Sequence, residues 1–229
     1  MSEAESFDYI IVGAGSAGCV MANRLSADGK SRVLLLEAGK RNSHPWFRIP
    51  LMTGKLLRGR AHNWFYHTEP EPHLNDRRLF WPRGKVLGGS SSINAMVYIR
   101  GQARDFDEWK SMGNPGWGWD DVLPYFKKSE TNDRGGDDFR GDSGQVHVAT
   151  MDRDLHPLCQ DFIEAGKQLQ FPHNPDFNGA TQEGVGTYQN TAKDGLRMST
   201  ARAYLRPARK RPNLHVEKKA LAEKVVFEE

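Results

Sequence analysis

Apolar and polar positions alternate in blocks over the first forty residues. Tyr9-Ile10-Ile11-Val12 is an unbroken apolar run, closed by Gly13-Ala14-Gly15-Ser16-Ala17-Gly18. Ala17, Val20, Met21 and Leu25 then recur at helical spacing, and a second apolar run, Val33–Leu36, ends in Glu37. Short apolar runs bounded by turn signals read as buried strands, and the spacing between them as an amphipathic helix. The pattern predicts a strand at Tyr9–Val12, a helix at Ser16–Leu25 and a strand at Val33–Leu36, which together make a βαβ unit.

Further on the pattern loosens. From Lys40 to Arg83 five prolines (Pro45, Pro50, Pro70, Pro72, Pro82) interrupt any long element, and so long a loop inside a domain usually has a functional role. A short helix or strand is predicted at Ser92–Ile99, and a helix starts near Asp105–Lys110. Asp120 or Asp121 is expected to cap a helix through Val122, Leu123, Tyr125 and Phe126. Thr131–Gly144 reads as a solvated loop, Gln145–Val148 as a strand, and Pro157–Leu169 as a helix. Ser199 is the expected cap of a helix through Ala201, Ala203, Tyr204 and Leu205. Leu214–Val216 and Val225–Phe227 read as the strands of a hairpin with unpaired, aggregation-prone edges.

The first glycine turn carries candidate chemistry, because G-x-G-x-x-G between a strand and a helix is the fingerprint of a dinucleotide site. Gly13 permits a tight turn, Gly15 lets backbone approach a pyrophosphate, and Gly18 lets the helix lie on the sheet. The helix N-terminus offers free N–H groups and a partial positive charge to phosphates. Glu37 can accept hydrogen bonds from ribose hydroxyls, and its charge disfavours the 2′-phosphate of NADP. FAD and NAD are not distinguished by this unit. Cys19 reads as a small packing residue rather than a nucleophile.

Composition changes this picture little. A net charge of +3 on 229 residues excludes nothing, and two cysteines provide no disulfide framework. No apolar run approaches the ~20 residues needed to span a bilayer, and the polar N-terminus does not resemble a signal peptide. The expected location is cytoplasmic, with peripheral contact at the inner membrane left open. No residue spacing suggests a metal site. Arg202, Arg206, Arg209, Lys210, Arg211, Lys218 and Lys219 form a basic cluster that could meet anionic lipid or nucleic acid. A solvated helix end is the favoured reading, so no nucleic-acid partner is expected. Core packing is expected for most of the six tryptophans.

Trp81–Gly101 forms a second informative block. Gly88-Gly89 followed by Ser90-Ser91-Ser92 is a bend rich in N–H and hydroxyl donors that could close over an anionic or hydrogen-bonding ligand. It has neither the spacing of a nucleotide P-loop nor that of a serine-hydrolase elbow. The block resembles the first signature of the glucose–methanol–choline (GMC) oxidoreductases. Gly84-Lys85, Leu87-Gly88-Gly89, Ser90-Ser91, Ile93, Asn94, Tyr98, Gly101 and Asp107 all fit that signature. Glu37-Ala38-Gly39, Asn63-Trp64, Phe139-Arg140-Gly141 with Gly144, and Arg197–Ala201 leading to Tyr204-Leu205 are similar to further stretches of the family. The resemblance covers essentially the whole chain and is nearest the choline dehydrogenase and aliphatic alcohol dehydrogenase branch.

The resemblance implies an α/β, Rossmann-like FAD-binding fold with the beginning of a substrate-binding domain. Residues 1–150 would open the FAD domain, 151–195 would belong to the substrate side, and 196–229 would return to the FAD domain. Gly13, Gly15, Ser16, Ala17 and Gly18 would hold the pyrophosphate of FAD and Glu37 the adenosine ribose. Gly89 and Ser90 would lie in the second turn, which is expected at the opposite end of the cofactor from the first. Val86 and the run Asn94-Ala95-Met96-Val97 would line the flavin end, Trp64 would stand near the cofactor, and the Ala222 backbone would meet the adenine. Some relatives bond flavin to a histidine at the position of Ile93, so FAD here would be non-covalent. Where relatives often carry His-Gly, this chain has Arg140-Gly141.

The implied reaction is oxidation of an alcohol of the choline or aliphatic class by hydride transfer to flavin N5, with a quinone or O2 as final acceptor. The family's catalytic histidine lies far toward the C-terminus. None of His44, His62, His67, His73, His147, His156, His173 and His215 aligns with it, so no catalytic residue is assigned. The chain is expected to be the N-terminal portion of the enzyme, with little turnover by itself. A stand-alone FAD- or nucleotide-binding module is the alternative. An NAD-dependent dehydrogenase fits the first turn but leaves Arg83–Asn94 unexplained.

Overall fold

The computed structural model describes residues 5–151 and 155–227. They form two compact units, one of residues 5–95 and 195–227, the other of residues 96–151 and 155–194. The second unit begins at Met96, and the chain returns to the first at Gly195.

In the first unit, β1 (Tyr9–Val12), α1 (Ser16–Leu25) and β2 (Val33–Glu37) follow the apolar pattern closely. β1 runs parallel to β2, from Tyr9 opposite Val33 to Val12 opposite Leu36. The far side of β2 pairs, also in parallel, with Leu214–Lys218. The order β1, β2, Leu214–Lys218 is that of one half of a doubly wound dinucleotide fold.

The expected hairpin is therefore not formed. Its first strand joins the parallel sheet, and Val225–Phe227 is irregular and exposed. The open apolar edge lies instead at β1, where Ile10 and Val12 are 58% and 65% exposed.

α1 packs through Gly18, Cys19 and Ala22, all buried. The Asn23 side chain donates to the Tyr204 carbonyl at 2.8 Å, and Arg211 donates to Ser26 Oγ at 2.8 Å. Tyr204 belongs to a π turn (Ala201–Leu205) that leads into Arg206–Ala208. Ser199 starts this crossover through its backbone carbonyl, which accepts from Arg202 and Ala203, both at 2.9 Å, rather than through a side-chain cap. The stretch after Lys40 is less irregular than its prolines suggest. Pro45 and Pro50 each open a 3-10 turn, where a missing N–H costs nothing, and Thr53–Arg58 is helical. Phe47 and Leu56 from this segment meet Val86 and Ile93 in a buried cluster.

The second unit contains helices at Ala103–Ser111, Trp119–Ser129 and Pro157–Gln168. Gly118, not an aspartate, is the N-cap of the middle helix; Asp121 reaches back and accepts from the Gly118 N–H at 3.1 Å. The expected solvated loop at Thr131–Gly144 begins inside a strand, Glu130–Asn132, which pairs in parallel with Val146–Val148.

Glu130 is fully buried and ion-paired with Arg100, and its carboxylate also accepts from Tyr98 Oη at 3.1 Å and from the Asn132 amide at 2.6 Å. Burial, with the nearby Glu130 charge, raises the Tyr98 phenol above its usual pKa. Arg140 is buried and paired with Asp176. Desolvation holds its guanidinium below its usual range, against the pull of Glu130. Four tryptophans depart from the core expectation: Trp46, Trp81, Trp109 and Trp117 keep 39–53% of their surface exposed.

Candidate cofactor site

The glycine turn after β1 is built by sterics. Gly13 sits at φ +94°, a left-handed conformation that favours glycine. A methyl group on Gly18 would lie 1.9 Å from the Gly13 carbonyl oxygen, so only glycine lets α1 approach this closely. A methyl on Gly15 would meet nothing within 4 Å. Gly15 is the N-cap of α1 and supplies no side-chain acceptor. The Ser16 and Ala17 N–H groups accordingly have no protein acceptor among the described residues. The result is an open helix N-terminus, where free N–H groups and the helix dipole favour an anion.

Glu37 stands behind this turn and is 5% exposed. One carboxylate oxygen accepts from the Ala14 N–H at 2.9 Å and the other from the Gly39 N–H at 2.8 Å. It therefore pins the turn, and a carboxylate's four lone-pair sites leave capacity for a ligand hydroxyl.

The second glycine bend does not sit apart from the first. The Gly88 N–H donates to the Ala14 carbonyl at 2.7 Å, and a methyl on Gly89 would lie 2.8 Å from the Gly15 Cα. The two turns touch backbone to backbone and form one wall, whereas the resemblance implies opposite ends of a ligand. Both Gly88 (φ +90°) and Gly89 (φ +52°) are left-handed, which explains the double glycine. The serines mostly serve the bend itself. Ser90 Oγ accepts from the Gly84 N–H at 3.1 Å, Ser92 Oγ donates to Leu87 O at 2.8 Å, and Ser91 Oγ contacts Thr200 Oγ1 at 2.9 Å.

The other expected site residues occupy varied positions. The Val86 side chain is buried in the Phe47–Leu56–Ile93 cluster, so only its backbone remains to meet a ligand. Trp64 is half-buried, stacked on Tyr66 with a centroid distance of 5.8 Å, and Lys85 Nζ stands 4.4 Å from its ring. Asn94 and Ala95 are exposed at the end of the first unit. Met96 and Val97 belong to the second, where Met96 is held at φ +65°, uncommon for a residue with a Cβ. Ala222 is exposed and irregular, outside any hairpin.

Sequence reading assigned no role to the residues that hold this site together. Arg197 is 1% exposed, and its guanidinium donates to Asn94 O at 2.6 Å, Asn94 Oδ1 at 2.9 Å and Thr53 Oγ1 at 2.7 Å. Desolvation lowers its pKa to about 10, which leaves it charged at neutral pH. Asn63, also buried, accepts from Phe65 and Arg83 N–H groups and donates to Leu57 O at 2.8 Å. The only signal for either was its place in a family-like stretch.

Several histidines have structural partners: through Nδ1, His44 caps the 3-10 turn at Pro45 and His156 the helix Pro157–Gln168, and His147 Nε2 lies 2.7 Å from Asp133. Among the described residues no group of three metal-ligating side chains converges, and no helix is long and apolar enough to cross a membrane. Burial pushes the Cys19 thiol up to about 11, and only the thiolate reacts. A disulfide reagent at pH 8 is therefore expected to label the part-exposed Cys159 and spare Cys19 in the folded protein. Labelling of both sites, read by peptide mass, would contradict this.

Comparison with known proteins agrees with the geometry. A family model described as GMC oxidoreductase matches residues 7–229. The chain is 52% identical, over 97% of its length, to an alcohol dehydrogenase [acceptor] of Pseudomonas putida, and 48% identical over 96% to an oxygen-dependent choline dehydrogenase of Sinorhizobium fredii. It spans 40% of the length of each of these relatives. Among solved structures, pyridoxine 4-oxidase from Mesorbium loti superposes with a TM-score of 0.93 at 37% identity, covering 98% of this chain and 44% of that one. An FAD-dependent oxidoreductase from Chaetomium thermophilum gives 0.88 at 29% identity, covering 97% and 40%. With its parallel three-stranded sheet, its uncapped glycine turn and a family match from Phe7 to the last residue, the chain belongs to the GMC oxidoreductases and has their N-terminal FAD-binding fold.

Proposed function

We propose that this chain is the FAD-holding part of a flavoenzyme that oxidises an alcohol, with a donor of the aliphatic or choline class and a quinone or O2 as acceptor. The uncapped start of α1 carries the reading. Ser16 and Ala17 N–H groups without acceptors, beside a Gly15 with clear space, suit a pyrophosphate. Glu37 has lone pairs left for ribose hydroxyls, which favours a dinucleotide without a 2′-phosphate. Arg197 orients Asn94, the first residue of the run expected along the flavin, by gripping both its carbonyl and its side chain. Ile93 is 1% exposed and has no atom that could form a bond to flavin, so the cofactor is held non-covalently. FAD would supply the hydride-accepting chemistry at N5. The second unit would contribute the beginning of the substrate side.

The test is spectroscopic, on the whole protein that contains this chain. Purified protein is expected to be yellow and to release its flavin into the supernatant on acid precipitation. Anaerobic addition of an aliphatic alcohol or choline is expected to bleach the flavin band. Colourless protein that takes up NAD would overturn the cofactor assignment. A flavin band that no alcohol bleaches would instead favour a non-catalytic flavin-binding module.

A further inference from the structure

Much of the basic cluster seen in the sequence does not simply coat a surface. Arg202, Arg206, Arg209 and Lys218 converge with Arg41 and Arg48 around a cavity of about 370 Å³ in the first unit. Arg211 turns away, into hydrogen bonds with Asn23 and Ser26. The cavity volume falls within the range of about 300–1,000 Å³ usual for small-molecule pockets. No carboxylate lines it, and Arg41, Arg48, Arg206, Arg209 and Lys218 make no ion pair among the described residues. Like charges so gathered repel one another, and a bound anion would relieve them.

A second, independent observation points the same way. Arg197, buried to 1% exposure, also lines the cavity. Its two terminal nitrogens are satisfied by Asn94 and Thr53, but its Nε–H has no partner among the described residues. An orphaned charged donor at this depth is costly unless an acceptor reaches it.

We propose that this cavity is a second anion site that takes a compact ligand bearing at least two phosphoryl groups, separate from the glycine turn. Neither Gly13–Gly18 nor Glu37 lines it. Arginine forks match phosphoryl oxygens two at a time, and a single carboxylate would leave most of the charge unbalanced. Phe47, Leu87, Leu205 and Leu214 add apolar side chains to the lining.

Isothermal titration of the FAD-loaded protein with inorganic pyrophosphate tests the site. Saturable binding is expected, weakening as salt rises. An Arg206→Gln/Arg209→Gln double variant is expected to bind at least about tenfold more weakly with an unchanged flavin spectrum. No saturable heat, equal affinity in the double variant, or release of FAD by pyrophosphate would each overturn the proposal. The last result would place pyrophosphate on the glycine turn. Flotation with vesicles carrying a bisphosphorylated inositol lipid separates the two sources of this chemistry: capture that pyrophosphate competes away indicates a lipid headgroup, and no capture indicates a soluble ligand.

Discussion

Gly15→Ala is expected to leave folding stability within about 0.5 kcal/mol of the parent while weakening FAD about a hundredfold or more. Beyond its chain neighbours the added methyl meets nothing within 4 Å among the described residues, and the backbone (φ −75°, ψ −160°) suits any residue. Its only cost is to occupy the space where a pyrophosphate would lie against the N–H groups of α1. Gly18→Ala, three residues on, should behave in the opposite way. Its methyl would lie 1.9 Å from the Gly13 carbonyl oxygen, so α1 must move off the sheet at a cost of about 2–3 kcal/mol. Urea unfolding of the apoprotein and FAD titration by flavin fluorescence separate the two effects. Equal stability losses in both variants, or undiminished FAD affinity in Gly15→Ala, would show that the turn is merely structural.

Glu130→Ala should cost about 3–5 kcal/mol, because removing one partner of a buried pair strands the other charge. The side chains of Arg100 and Glu130 are 2% and 0% exposed, and Tyr98 and Asn132 also direct hydrogen bonds at the lost carboxylate. The contrast is Glu5→Ala. The Arg32–Glu5 pair is 45% and 69% exposed, so losing it should change stability by less than about 0.5 kcal/mol. The midpoints of urea unfolding read both. A Glu130→Ala protein as stable as the parent would mean that the second unit tolerates an unpaired Arg100, against its burial.

Local elements were legible wherever local patterning decides them. β1, α1 and β2 were readable because unbroken apolar runs, helical spacing and three glycines each specify backbone conformation within a few residues. The Gly88-Gly89 bend was legible as a turn for the same reason, since both residues adopt positive φ. Errors came where partners are distant in sequence. Leu214–Lys218 looks like half a hairpin, yet it pairs with β2 nearly two hundred residues earlier. Its apolar residues match Val33 and Leu35 in register, and no nearby residue records that fact. Val225–Phe227 has a strand's composition but no strand beside it among the described residues. Asp121 and Ser199 are cap residues by type, but helix starts depend on which backbone groups have rotated into place.

The sequence by itself determined the βαβ unit, the glycine turn and the family, because each is carried by residue types at short, fixed spacing. Only the tertiary structure decided that the two glycine turns abut, that Arg197 locks Asn94 and Thr53 together, and that scattered arginines face a common cavity. Those facts bring together segments up to about a hundred and seventy residues apart. Such contacts follow from burial and from the need to satisfy each buried polar group, and neither condition can be evaluated until the chain has folded.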